Sequence, residues 1–175
     1  TPTPGSENAA PSSPPVAISE IHYHPYSEDD ADELVEIANR GTESVDLAGL
    51  GFTAGIRYAF PSPTLLEPGR YLVVAKDPVR IEAAYGIAGV HGPFEGVLAD
   101  GGERLLLSDA LGRPVDEVRY RDDGSWPAWA DGDGPSLELV DLRAESSVGS
   151  AGLESEHEAR SEWASYEYSG RQVSS

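Results

Sequence analysis

Cysteine and methionine are both missing from this 175-residue sequence, and lysine occurs once, at Lys76. Without cysteine there is no thiol catalysis, no disulfide framework and no thiolate zinc site. Export is neither required nor forbidden by that, because a chain of this length buries a core without covalent staples. Without methionine the sequence does not begin at a start codon, and it reads as a piece of a longer chain. Bases are scarce: 12 Lys and Arg stand against 31 Asp and Glu, a formal net charge of -19. Nucleic-acid backbones and anionic membrane surfaces are bound by Lys and Arg, so both are poor partners for this chain. Long apolar runs are absent too; none nears the roughly 20 residues that span a bilayer, so direct membrane insertion is not expected. The partners that remain are cations, basic surfaces and neutral polymers.

The first 15 residues, "TPTPGSENAAPSSPP", have linker composition and no periodicity. From Val16 the texture turns to short β-type runs between turn signals. In "VAISEIHY", Val16, Ile18 and Tyr23 are apolar, but Ile21 breaks strict alternation, which predicts a bulge or bend. "ELVEIAN" sets Leu34 on one face and Val35 with Ile37 on the other, followed by a turn at Asn39-Arg40-Gly41. "VDLAGLGF" offers Val45, Leu47 and Phe52 to the interior, with glycines that permit bends or close backbone approach. "IRYAF" and a Pro68-Gly69 type II turn come next, and then "YLVVA", whose continuous apolar run predicts a central strand.

"KDPVRIEAAYG" reads as a two-turn helix with Asp77 as cap, Pro78 at the first position and Gly86 as terminator. Its rough apolar face comprises Val79, Ile81, Ala83 and Tyr85. "GERLLLSDALGRPVDEVRY" reads as two strands joined at Asp109 to Gly112, and "PSLELVDL" puts Leu137 and Leu139 inward against Glu138 outward. The total is about eight or nine strands and one short helix, the spacing of an all-β sandwich. Residues 144–175 form a polar tail that either packs back through Trp163 or leads to a next module.

Five stretches taken together, "VAISEIHYHP", "DELVEIANRGTESVDLAGLGFT", "LEPGRYLVVAKDP", "GERLLLSDALGRPVDEVRY" and "WPAWADGDGPSLELVDL", resemble the lamin-tail domain family in its prokaryotic, extracellular branch. The resemblance covers residues 16–143. Gly51-Phe52 stands where such domains usually carry Gly-Trp, and a Phe fills that core position. The resemblance implies an immunoglobulin-like β-sandwich. It also implies a module of a larger exported or cell-surface bacterial protein that binds or scaffolds, with no catalytic residues to carry over.

Three stretches are candidates for chemistry. His22 and His24, two apart, share a face of a strand, as a metal-dependent hydrolase would need, but a zinc centre requires a third protein ligand. His91 and His157 are isolated, and "HEARS" fails the HExxH spacing at Ser161. The acidic loop "SEDDADE", with Asp29, Asp30 and Asp32, and "DGDG", with Asp131 and Asp133, supply the oxygens that Ca²⁺ takes. The "DGDG" stretch does not fit an EF-hand: with Gly134 at the sixth position, the first is Trp129 and the twelfth Val140. Trp126 and Trp129, exposed, would stack on a sugar or anchor a protein; buried, they would cap the end of the sandwich.

Nucleophile elbows, phosphate loops and dinucleotide fingerprints are lacking. The expectation is therefore a non-catalytic module without a cofactor, recognising a protein, a cell-surface component or a carbohydrate. A Ca²⁺-stabilised adhesion module and a hydrolase using His22 and His24 are the competing readings.

Overall fold

The computed structural model describes residues 14–122 and 136–139, together with the backbone of 163–166. The linker up to residue 13, Trp126, Trp129, Asp131, Asp133 and His157 lie outside the described residues.

Alternation along "VAISEIH" makes β1 (Val16–His22), and the break at Ile21 is a bulge. Pairing with β2 (Leu34–Asn39) runs in register to Ile18, shifts between Ile18 and Glu20, and resumes at Glu20. The extra residue returns Ile21 and Tyr23 to the face that already carries Val16 and Ile18. Five short elements follow: β3 (Val45–Asp46), β4 (Gly51–Ala54), β5 (Tyr58–Ala59), β6 (Leu65–Leu66) and β7 (Tyr71–Ala75). Helix α1 (Pro78–Tyr85) then precedes β8 (Arg104–Ser108), β9 (Pro114–Arg119), β10 (Ser136–Leu139) and β11 (Trp163–Tyr166). Among the described residues there are eleven strands, three of them only two residues long, so eight are of substantial length.

Two antiparallel sheets stack as an immunoglobulin-like sandwich. One has the order β11-β10-β1-β2-β7 and the other β5-β4-β8-β9, while β3 and β6 pair as a small ribbon. Inward side chains of both sheets meet in one core that includes Ile18, Ile37, Val74, Phe52, Leu105, Leu107, Val118 and Leu137. Each large aliphatic side chain buried there stabilises the fold by about 1.5–3 kcal/mol. Phe52 is among them, so Phe fills the position as expected.

Several turns follow from single residues. Arg70 N–H donates to the Glu67 carbonyl at 3.1 Å, closing a turn in which Gly69 takes φ 67°, the left-handed conformation of a type II turn. A Cβ on Gly51 would lie 2.5 Å from the Tyr58 carbonyl oxygen, so β4 and β5 approach as they do because that position has no side chain. The β8–β9 hairpin closes where the sequence places it, with Gly112 N–H donating to Asp109 O at 2.8 Å.

Two expectations need correction. The apolar run of β7 predicts a central strand, but β7 is the last strand of its sheet. It is apolar throughout because both faces are covered, with Leu72 and Val74 in the main core and Val73 and Ala75 in a second cluster with Leu34 and Ile81 under α1. Its outer edge is met by His91, through Ala75 N–H to His91 O and His91 N–H to Val73 O, both 2.8 Å. The second correction concerns α1. Asp77 caps it by accepting from Arg80 N–H, and Gly86 ends it at φ 65°, as read. Of the four residues assigned to its apolar face, however, only Ile81 is buried, and Val79 is exposed. Two turns of helix lying on a sheet edge bury one row of side chains, and Val79 falls outside that row.

Candidate functional site

At one end of the sandwich, residues 23–33 link β1 to β2. Glu28 N–H donates to Pro25 O at 2.9 Å, and Glu28 takes φ 54°, the one non-glycine positive φ among the described residues. Asp29 starts a 3-10 turn (Asp30–Asp32) by accepting from Ala31 N–H at 3.0 Å. Ser27 Oγ donates to Asp32 Oδ2 at 2.5 Å. These acids are too polar to pack on one another, and a base from another element gathers them. Arg80 of α1 donates to both oxygens of Asp32, Nε to Oδ1 at 2.5 Å and Nη2 to Oδ2 at 2.6 Å, and from Nη1 to Asp29 Oδ2 at 2.6 Å. The planar guanidinium matches a carboxylate in this two-pronged way, and no lysine would. The Ala31 amide, then Arg80, hold the Asp29 carboxyl below the usual carboxylate range.

Behind this clamp lies a shallow, mainly apolar groove of about 560 Å³, lined by Ala31, Lys76, Asp77, Pro78, Val79 and Pro93. Val79 is 76% exposed, and Tyr26, in the clamped loop, is 79% exposed. Lys76 closes one side: its ammonium donates to the Gly96 carbonyl and sits 5.6 Å from the centroid of the Phe94 ring. Exposed Val97 follows directly after that carbonyl. The exposed apolar side chains at this end are thus carried on segments tied to one another.

Deeper in the same end, Glu33 is buried and accepts from Leu98 N–H at 3.0 Å. Burial pushes its carboxyl up to about 8, against the opposing effect of the Leu98 hydrogen bond, and the Asp30 charge adds to the rise. Tyr120 donates toward Ala99 O and Glu103 Oε1, both at 3.1 Å, while Glu103 accepts from Ala99 N–H at 2.9 Å. Burial raises the Tyr120 hydroxyl and keeps it protonated. These bonds stitch residues 98–103 to Glu33, just before β2, and to Tyr120, just after β9. They place the Glu33 carboxyl against the Leu98 amide.

The sequence candidates fare differently. His22 is buried at the end of β1, while His24 lies beyond the strand, half-buried and 6.5 Å in ring centroids from Tyr23. Among the described residues no group of three or more His, Asp or Glu is placed to hold a metal ion. Asp29 and Asp32 are brought together, but onto Arg80; Asp30 stands apart from that clamp. His91 meets Tyr58, Nδ1 to the hydroxyl at 3.1 Å, and burial lowers its basicity.

Sequence reasoning missed four features. One is Arg80 as partner of the acidic loop, 48 residues from Asp32. Another is the groove with Val79 on its rim. A third is Glu33, and the fourth is the buried pair Glu20 and Glu36, directly opposite each other across β1 and β2. Ser19 Oγ donates to Glu36 Oε1 at 2.9 Å, and Ser136 donates to Glu20. The one signal that could have located the groove is the Asp77-Pro78 helix start.

Three comparisons bear on this arrangement. The sequence model of the family described as Lamin Tail Domain matches residues 9–122. A crystal structure of a DUF4876 family protein from Bacteroides thetaiotaomicron superposes with a TM-score of 0.53 at 12% identity. The aligned region covers 72% of this chain and 62% of that one, so this chain spans less than two thirds of that protein's length. At that identity the likeness is one of fold. No curated protein matches the sequence.

Proposed function

The chain belongs to the lamin tail domain family, and from that premise we propose that it is a non-catalytic recognition module of a larger exported bacterial protein, binding a protein or cell-surface component through the loop end built on Arg80. The carrying observation is that Tyr26 and Val79, each more than three-quarters exposed, stand on segments that the Arg80–Asp29–Asp32 clamp joins. Exposed apolar side chains on a fixed frame lose little conformational freedom when a partner covers them, and that is what a binding surface needs. The buried polar groups nearby are engaged in holding loops, with no activated nucleophile among them.

Retention of purified cell-surface proteins and polysaccharides on the immobilised chain, compared with a Tyr26→Ser/Val79→Asp variant, tests the reading. The variant is expected to keep its melting midpoint and lose the retained component. Equal retention by the two, or turnover of a substrate that is abolished by His22→Ala, would overturn it.

A further inference from the structure

The groove's chemistry narrows what can fill it. Its lining is small and aliphatic, from Ala31, Pro78, Pro93 and, at the rim, Val79, and its volume of about 560 Å³ holds a few side chains rather than the apolar face of several helical turns. Acids flank it. Asp77 lines it, Asp30 precedes the lining residue Ala31 in the chain, and Glu28 lies two residues before Asp30; Glu28 and Asp30 are exposed and carry no ion pair among the described residues. Of the two bases nearby, Arg80 is paired with Asp29 and Asp32, while Lys76 donates to the Gly96 carbonyl and keeps its charge, so that Glu28, Asp30 and Asp77 outnumber it. Toward solvent this end therefore presents carboxylates around an apolar strip, on a chain whose net charge is already -19. A segment bearing acids would be repelled by both the local and the overall field. One bearing bases would be drawn in and oriented.

We propose that the groove between the 3-10 turn and α1 takes an extended segment of a partner protein, with proline or a small aliphatic residue at its centre and lysine or arginine on either side. The central side chain packs on Val79 and Pro93, and the flanking bases face Glu28, Asp30 and Asp77. This inference rests on the recognition reading above and names the class of its partner.

Fluorescence anisotropy of the full chain with two short labelled peptides tests it, one with a Val-Pro centre and Lys/Arg flanks, the other with Glu flanks. The basic peptide is expected to bind, more weakly as salt rises, and the acidic one not to bind. Val79→Asp and the pair Glu28→Lys/Asp30→Lys should each weaken binding by about tenfold or more, a change of about 1.4 kcal/mol. Val79 is exposed in the first turn of α1, where an acid is favourable, so the variant should melt like the parent. Equal binding of both peptides, or indifference to Val79→Asp, would overturn the proposal. If neither peptide binds while Val79→Asp still abolishes retention of the cell-surface component, the partner chemistry is wrong and the recognition reading stands. If Val79→Asp changes neither measurement, both fall.

Discussion

Asn39 and Arg80 each make three side-chain hydrogen bonds that tie separate segments together, yet one works in the dry interior and the other half in water. The Asn39 amide donates to the Glu43 and Leu66 carbonyls, both at 2.8 Å, and its oxygen accepts from Gly41 N–H at 2.9 Å. No part of Asn39 is exposed. Arg80 holds Asp29 and Asp32 at shorter distances, but its side chain and that of Asp29 are 40% and 49% exposed. Water reaches both the Arg80 side chain and its partners, whereas the Asn39 side chain is itself sealed off and its bond to Leu66 is wholly buried. The shorter hydrogen bonds are therefore not the ones worth more: the buried set stabilises the fold, and the exposed set fixes the shape of a surface.

The sharpest way to break that comparison is Asn39→Asp. A carboxylate in that place removes both donors and turns negative charge toward two carbonyl oxygens, at a side chain that is fully buried. The expected loss is about 4 kcal/mol in a urea melt. Asp116 comes next. It is fully buried on β9, reaches across the sandwich and accepts from Ile18 N–H at 2.7 Å, beside the bulge in β1. Asp116→Ala orphans that amide and should lower stability by about 2–3 kcal/mol.

Glu33 sharpens the comparison by adding pH. Its carboxyl is raised from 4.5 to about 8 by burial, so the folded state binds a proton that the unfolded state has released. The stability contributed by this group is fully present below about 4.5 and is lost as pH rises through about 8. Glu33→Gln keeps an acceptor for Leu98 N–H and should flatten this slope, so that its advantage over the parent grows from acid to alkaline melts. A parallel pair of curves would show that Glu33 ionises normally.

The smallest effects belong to the clamp. Asp29→Ala and Arg80→Ala should leave the melting midpoint nearly in place, while each weakens whatever the Tyr26–Val79 surface retains. Millimolar Ca²⁺ should add no shift, because Asp29 and Asp32 already face a guanidinium; a tight site saturated at a hundred times its Kd would add ~2.7 kcal/mol. A large loss on Arg80→Ala would erase the distinction between the two constructions.

Much of the fold was legible in the sequence because its signals are local. Ile21 out of phase marked the bulge, Leu34 against Val35 and Ile37 separated the two clusters, and Asp77, Pro78 and Gly86 bounded the helix. The position of β7 was not legible. Alternation reports how many faces are buried, and a strand beneath α1 at the edge of a sheet reads like one in its middle. The candidate site was legible in part. The acids of the loop were singled out as ligands for a cation, and the cation beside Asp29 and Asp32 is Arg80.

By itself the sequence determined the class of fold, the lack of any thiol and the sign of the net charge. These depend on residue type and on spacings of a few positions, where backbone geometry dictates which face a side chain joins. Only the tertiary structure decided that Arg80 closes on the acidic loop, that Asn39 and Asp116 are interior struts, and that Val79 borders a groove. Each of those facts pairs residues dozens of positions apart, and what a polar or apolar group does there depends on how much water the rest of the chain leaves around it.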